Sequence, residues 1–258
     1  MNFFVKIWNL LLRTGKVWRM EKPPIMKVLQ DAQLAHEAGD FVNALKFYAQ
    51  FFDHALDDDP YALYGVRLSY CLDGWARLAK EFVGAKNQLV EKQVEAIQEY
   101  QEKKRPESFH DYYAISCALD DQQSALDMFL AINSKSNENA SKLVKFVWQD
   151  LINREQWQVC NQFLDDPVQK LDECFSVFEE ANRLQDMDIS FATDSFQKHI
   201  ISELVEGINE LLMVLRHNNR VNDVDMIQRK FYEIAHANNH AGLERLLQSK
   251  GTFLFSGH

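Results

Sequence analysis

Few residues in this chain have both the type and the spacing for chemistry. Glu107-Ser108-Phe109-His110 and Glu233-Ile234-Ala235-His236 both read Glu-x-x-His. Residues three apart share a helix face, so each motif can present a carboxylate and an imidazole together. Two such motifs on facing helices, with a carboxylate from each of two more, make the di-iron site of helical bundles. Glu203 or Glu206 could supply a third carboxylate. The motif is weak here, because a chain with 8 His and many glutamates produces such pairs by chance. Glu107 also follows Pro106 at a helix start, where any acid is favoured by the helix dipole. The di-iron protein is therefore a minor alternative, and no metal is expected. His236 and His240 are four apart, but Asn238-Asn239 between them reads as a helix end and separates them.

Other reactive groups offer less. No Gly-x-Ser-x-Gly elbow and no glycine-rich phosphate loop occurs, so neither nucleophilic catalysis nor a nucleotide cofactor is expected. Cys71, Cys117, Cys160 and Cys174 are far apart, form no Cys-x-x-Cys pair and sit among apolar residues. They read as structural thiols in a reducing, cytoplasmic setting. The expectation is a protein that is not an enzyme and carries no cofactor.

The elements that would position these residues are helices. No Gly lies between Gly84 and Gly207, and no Pro follows Pro167. Sheets with tight turns need such residues, whereas helices joined by short polar loops do not. The formal net charge of −10 argues against a nucleic-acid partner, which requires a basic footprint. Basic residues are concentrated at the start: residues 1–27 hold six and a single acid.

Residues 2–19 read as a short amphipathic helix before the break at Pro23-Pro24. Lys6, Arg13, Lys16 and Arg19 supply the basic character, and Phe3, Trp8 and Trp18 the apolar face. Three roles stay open: packing on the helical body, lying on an anionic membrane, or docking on a partner. No stretch is long enough to span a bilayer.

Beyond the break the chain reads as helix pairs. Ile25, Val28, Leu29, Ala32 and Ala35 stripe one helix; Ala44, Leu45, Tyr48, Phe51, Phe52 and Ala55 stripe the next. Gly39 suits a left-handed turn and Asp40 a cap between them. The run from Gly39-Asp40-Phe41 through Ala44-Leu45 to Tyr48, with Ala32 before it and Pro60 after it, resembles the tetratricopeptide (TPR) repeat. In that family a small residue at the Ala44 position lets the paired helices approach closely. Pro60 falls about one helical turn later than a 34-residue repeat would place it. The resemblance implies a groove that binds a partner segment, with Leu29, Gln33, His36, Tyr64 and Tyr70 as candidate contacts. Leu29 stands where the carboxylate-clamping members of the family would need Lys, so that activity is not implied.

Later segments follow the pattern loosely. Residues 61–83 suggest a second pair turning at Asp73-Gly74, 83–104 one long helix, and 108–132 a pair with Asp120 and Gln123 as a capping box. Asn133 to Asn139 reads as a loop, and 140–166 as a pair hinged near Asn153–Glu155. Leu164-Asp165-Asp166-Pro167 echoes the acidic run before Pro60. The expected architecture is an all-α, irregular TPR-like solenoid of antiparallel helix pairs. Its parts are a basic N-terminal segment (1–24), repeats (25–135) and a C-terminal helical region (136–258). The expected function is a cytoplasmic scaffold or adaptor that binds a protein, with membrane-peripheral attachment through residues 2–19 as the alternative.

Overall fold

The computed structural model describes residues 24–187 and 192–237. All regular structure among them is helical. Phe3, Lys6, Trp8, Arg13, Lys16, Trp18 and Arg19 lie outside the described residues, as do His240 and the leucines from Leu243 onward. No helix among the described residues is long and apolar enough to cross a membrane. The chain divides into two compact units after Gln149, a division that falls inside a helix and not at the polar run near residue 135.

The first unit opens with α1 (Pro24–Glu37) and α2 (Phe41–Asp58). Gly39 adopts φ 75°, where it suffers no Cβ clash. Its neighbours close the turn, with the Asp40 amide donating to the Ala35 carbonyl at 2.9 Å. The Asp40 carboxylate then caps α2 by accepting from the Asn43 amide at 3.3 Å. Ala32 on α1 and Ala44 on α2 are both fully buried; two methyl side chains allow the helices to pack closely.

The next stretch departs from the helix-pair reading. Residues 62–81 do not turn at Asp73-Gly74. They form α3 (Ala62–Val66), a π-helical turn (Arg67–Cys71) and α4 (Leu72–Glu81) in unbroken succession. A π turn holds one extra residue and so rotates everything after it by about 100° relative to an α-helix. Gly74 serves packing: a Cβ there would meet the ring of fully buried Tyr48 at 2.6 Å. Trp75, also fully buried, donates its indole N–H to the Ala85 carbonyl at 3.1 Å. That bond ties α4 to α5 (Val83–Lys103). Helix α5 ends with Lys104 in the left-handed region (φ 55°), and Pro106 starts α6 (Pro106–Ala118).

The expected capping box at Asp120 and Gln123 is absent. Asp120 itself is left-handed (φ 59°), and Asp121 precedes α7 (Gln122–Lys135). The polar run 133–139 is mostly helical. It ends α7 and begins α8 (Asn137–Ser141), capped by the Ser136 hydroxyl, which accepts from the Asn139 amide at 3.2 Å. The same residues that favour loops are good helix caps, which is why composition misleads here. Helix α9 (Val144–Asn153) carries the chain across the division between the units.

The second unit turns at Glu155 (φ 56°), at the expected hinge, into α10 (Trp157–Asn161). Pro167 starts α11 (Pro167–Met187), with the Asp166 carboxylate accepting from the Val168 amide at 2.9 Å. Helices α12 (Asp194–His217) and α13 (Val221–Ala237) follow. The stripe Ile200, Ile201, Leu204, Ile208, Leu211 and Leu215 is buried along α12 as the periodicity requires. A polar latch holds the α12–α13 turn: the Arg220 guanidinium donates to the Leu164 carbonyl (2.7 Å) and to the Asn161 side chain (3.0 Å). Asn218 donates to the Trp157 carbonyl at 3.0 Å.

Candidate functional site

An open cleft of about 810 Å³ lies in the first unit. The second half of α2 contributes Phe52, Asp53 and Leu56, and the following turn Pro60 and Tyr61. Helix α3 and the π turn contribute Tyr64 and Arg67. Helix α5 supplies Lys92, Glu95, Ala96 and Glu99. Helix α6 and the turn before it supply Arg105, Glu107, His110 and Asp111, and α9 supplies Lys145 and Phe146.

The floor is a continuous stack. The Arg67 guanidinium lies 4.4 Å from the centroid of Phe52 and 5.9 Å from that of Tyr64. Tyr64 and His110 have ring centroids 5.6 Å apart. His110 stacks on Phe146 at 4.1 Å and 15° between planes. Lys145 covers the same Phe146 ring at 5.0 Å. Three of these contacts, Phe52–Arg67, Tyr64–His110 and His110–Phe146, join residues on separate helices, so no local pattern produces them.

Arg67 is buried, 5% exposed, and pairs with Asp111 across to α6. Its shielded Nε–H has no hydrogen-bond acceptor; the faces of Phe52 and Tyr64 partly compensate the charge instead. Burial raises the Asp111 carboxyl above the usual range, against the lowering by Arg67. A buried ion pair of this kind adds little net stability but makes loss of one partner costly. The π turn places Arg67 in this position, and such turns are frequent at functional sites.

His110 is held neutral. Burial, then Arg67 and Lys145, push its pKa down to about 3. Tyr64 is moved the other way, chiefly by burial and then by Asp111, so its phenol stays protonated. The Tyr64 hydroxyl and His110 Nδ1 share a hydrogen bond of 2.8 Å. His110 therefore serves as a fixed aromatic plate. Among the described residues no group of three or more His, Cys, Asp or Glu is arranged to hold a metal ion.

The walls carry both charges. Lys92 bonds Asp53 at 2.9 Å and Glu95 at 3.1 Å. Burial of Lys92 disfavours its charge, and those two hydrogen bonds outweigh that effect. Glu95 and Glu107 remain exposed at the rim, as do Arg105 and Lys145. Tyr61 is 93% exposed, a large aromatic ring standing in water at the cleft's edge.

Of the five groove contacts expected from sequence, Tyr64 alone lines this cleft. Leu29 is 4% exposed and belongs to the core, because it continues the buried stripe of α1. Tyr70 packs partly buried against that core. Gln33 is half-buried on α1. His36 meets Glu81 at 3.2 Å and sits edge-on to Phe41 and Tyr48. Arg67, Asp111, Phe52 and Phe146 went unnoticed as a set. One signal was present in the sequence: an arginine set in the apolar run Leu63 to Leu68 needs a partner to be buried. Comparison of the chain with protein-family models, with curated proteins and with solved structures gives no match in any of the three. The TPR resemblance accordingly rests on Ala32, Gly39 to Tyr48 and Pro60.

Proposed function

We propose that this chain is a non-enzymatic helical scaffold of TPR-like character that binds a segment of a protein partner in the cleft of its first unit. The observation that carries this reading is the stacked floor Phe52–Arg67–Tyr64–His110–Phe146 beneath an open, charged rim. Aromatic plates beside fixed charges are the composition of interaction hot spots, where Tyr and Arg anchors dominate. His110 and Arg67 are both engaged in fixed contacts, which suits recognition better than proton transfer. Acids on the walls and floor (Asp53, Glu95, Glu99, Glu107, Asp111) outnumber bases (Arg67, Lys92, Arg105, Lys145) by five to four. The adjoining run Asp57-Asp58-Asp59 adds to the acidic side. The fitting occupant is thus a segment that combines basic and aromatic or aliphatic side chains. The buried thiols of Cys71 and Cys160 suit the cytoplasmic setting that belongs to the same reading.

The test is selection of binding segments from a displayed peptide library on the full chain. Selected segments should bind at least about tenfold more weakly, ~1.4 kcal/mol, when Tyr61→Ser and Glu107→Lys are introduced together. Both positions are exposed, so helicity by circular dichroism should not change. Equal affinity for the two chains overturns the assignment of the cleft.

A further inference from the structure

We propose that residues 2–19 of this same chain occupy the cleft when no partner does. This inference rests on the reading of the cleft as a segment-binding site, and it names the first segment that would compete for it.

The attachment point is the first argument. The Ile25 amide, at the start of α1, donates to the Asp58 carboxylate at 3.2 Å. Asp58 ends α2, two residues from Leu56 on one side and from Pro60 on the other, and both line the cleft. The start of α1 therefore stands beside the rim of the cleft. From Arg19 to Pro24 the chain can extend at most about 18 Å. A tether so short holds the basic segment at an effective concentration on the order of millimolar.

Chemical match is the second argument. Residues 1–27 carry six basic residues and one acid, while the rest of the chain is acidic. The rim presents exposed Glu95 and Glu107 and the adjoining Asp57 to Asp59. Phe3, Ile7, Trp8 and Leu11 supply apolar side chains to match Leu56 and the exposed ring of Tyr61 at the cleft. A free basic amphipathic segment exposes its apolar face to water, which is unfavourable, so docking into an adjacent acidic, aromatic cleft is favoured on both counts.

Zero-length carbodiimide cross-linking of the dilute full chain tests the proposal. An equal mixture of isotope-labelled and unlabelled protein separates links within one molecule from links between molecules. Amides from Lys6 or Lys16 to Glu95, Glu99 or Glu107 within one molecule are expected. Trp8→Ser with Leu11→Ser should lower their yield about tenfold without touching a reactive group, as loss of apolar contact weakens docking. Addition of a library-selected segment should lower it likewise. Links from those lysines only to other acids, or only between molecules, overturn the inference. So does co-sedimentation with anionic phosphatidylserine vesicles that needs Trp8 while the intramolecular links are missing, since the segment would then be a membrane anchor. If selected segments still bind the cleft in either case, the proposed function survives the loss of this inference.

Discussion

The two units solve the problem of burial differently. In residues 24–149 the buried set includes Arg67, Ser69, Ser108 and Ser116, whereas every polar or charged residue in the buried set of the described chain lies in this first unit. Ser116 donates to the Tyr112 carbonyl at 2.7 Å and accepts from Gln93 at 2.8 Å; Ser69 donates to the Gly65 carbonyl at 2.6 Å inside the π turn. In residues 150–237 the buried set is apolar, and its polar latch around Arg220 is only partly buried. Burying polar groups costs free energy unless each is satisfied. Two of the four, Arg67 and Ser108, line the cleft, so part of that cost falls at its surface.

Five outcomes would break or sharpen this contrast. The largest concerns Asp111→Ala, which strands Arg67 without its counter-charge. It should destabilise the first unit by about 3–5 kcal/mol, read by urea unfolding with hydrogen exchange resolving the units. Retention of wild-type stability would mean that the pair is not buried as described. In the second unit the corresponding loss should come from an apolar deletion: Leu211→Ala, at a position 1% exposed, should cost about 2–5 kcal/mol by the same measurement. A cost below ~1 kcal/mol there would remove the apolar side of the comparison.

Gly74→Ala should cost about 1–3 kcal/mol, because the added methyl would meet the ring of the fully buried Tyr48 at 2.6 Å. Tyr48→Leu in the same chain should recover part of the loss, which a double-mutant cycle would show. The fourth outcome is pH dependence. The folded pKa of His110 lies below its unfolded value, so the unfolded state binds the proton first as pH falls. Stability contributed by neutral His110 is intact above pH 6.5 and declines between 6.5 and about 3, by up to about 1.4 kcal/mol per pH unit. Thermal unfolding of His110→Gln should lack that slope within the first unit. The smallest effect belongs to the second unit. Glu155 is held at φ 56°, where a side chain costs roughly 1 kcal/mol. Glu155→Gly should stabilise by about 0.5 kcal/mol after the extra unfolded-state entropy of glycine is offset, measurable as a small rise in the urea midpoint.

Much of the helical layout was legible beforehand. Gly39 with Asp40, Pro106 and Asp166-Pro167 each mark a helix end through local backbone chemistry, and each does so in the structure. The hinge at Glu155 was legible for the same reason. Asp73-Gly74 misled, because a glycine that permits a turn and a glycine that permits close packing look alike in one dimension. Asn133 to Asn139 misled because capping residues and loop residues are the same types. Of the candidate site, Tyr64 was singled out, and His110 was noted only as half of a weak Glu-x-x-His motif.

What the amino-acid order determined unaided is whatever acts within a few residues: the all-helical class, the apolar stripes, the caps and the stops. Hydrogen bonds four residues apart and side chains three or four apart carry that information locally. Tertiary structure decided the rest. The Arg67–Asp111 pair joins residues 44 apart and the Tyr64–His110 bond residues 46 apart. The π turn that aims Arg67 has no spacing signature of its own. Whether such groups meet depends on how separate helices pack, and packing is fixed by volume, burial and charge summed over the whole core rather than by any neighbouring residue.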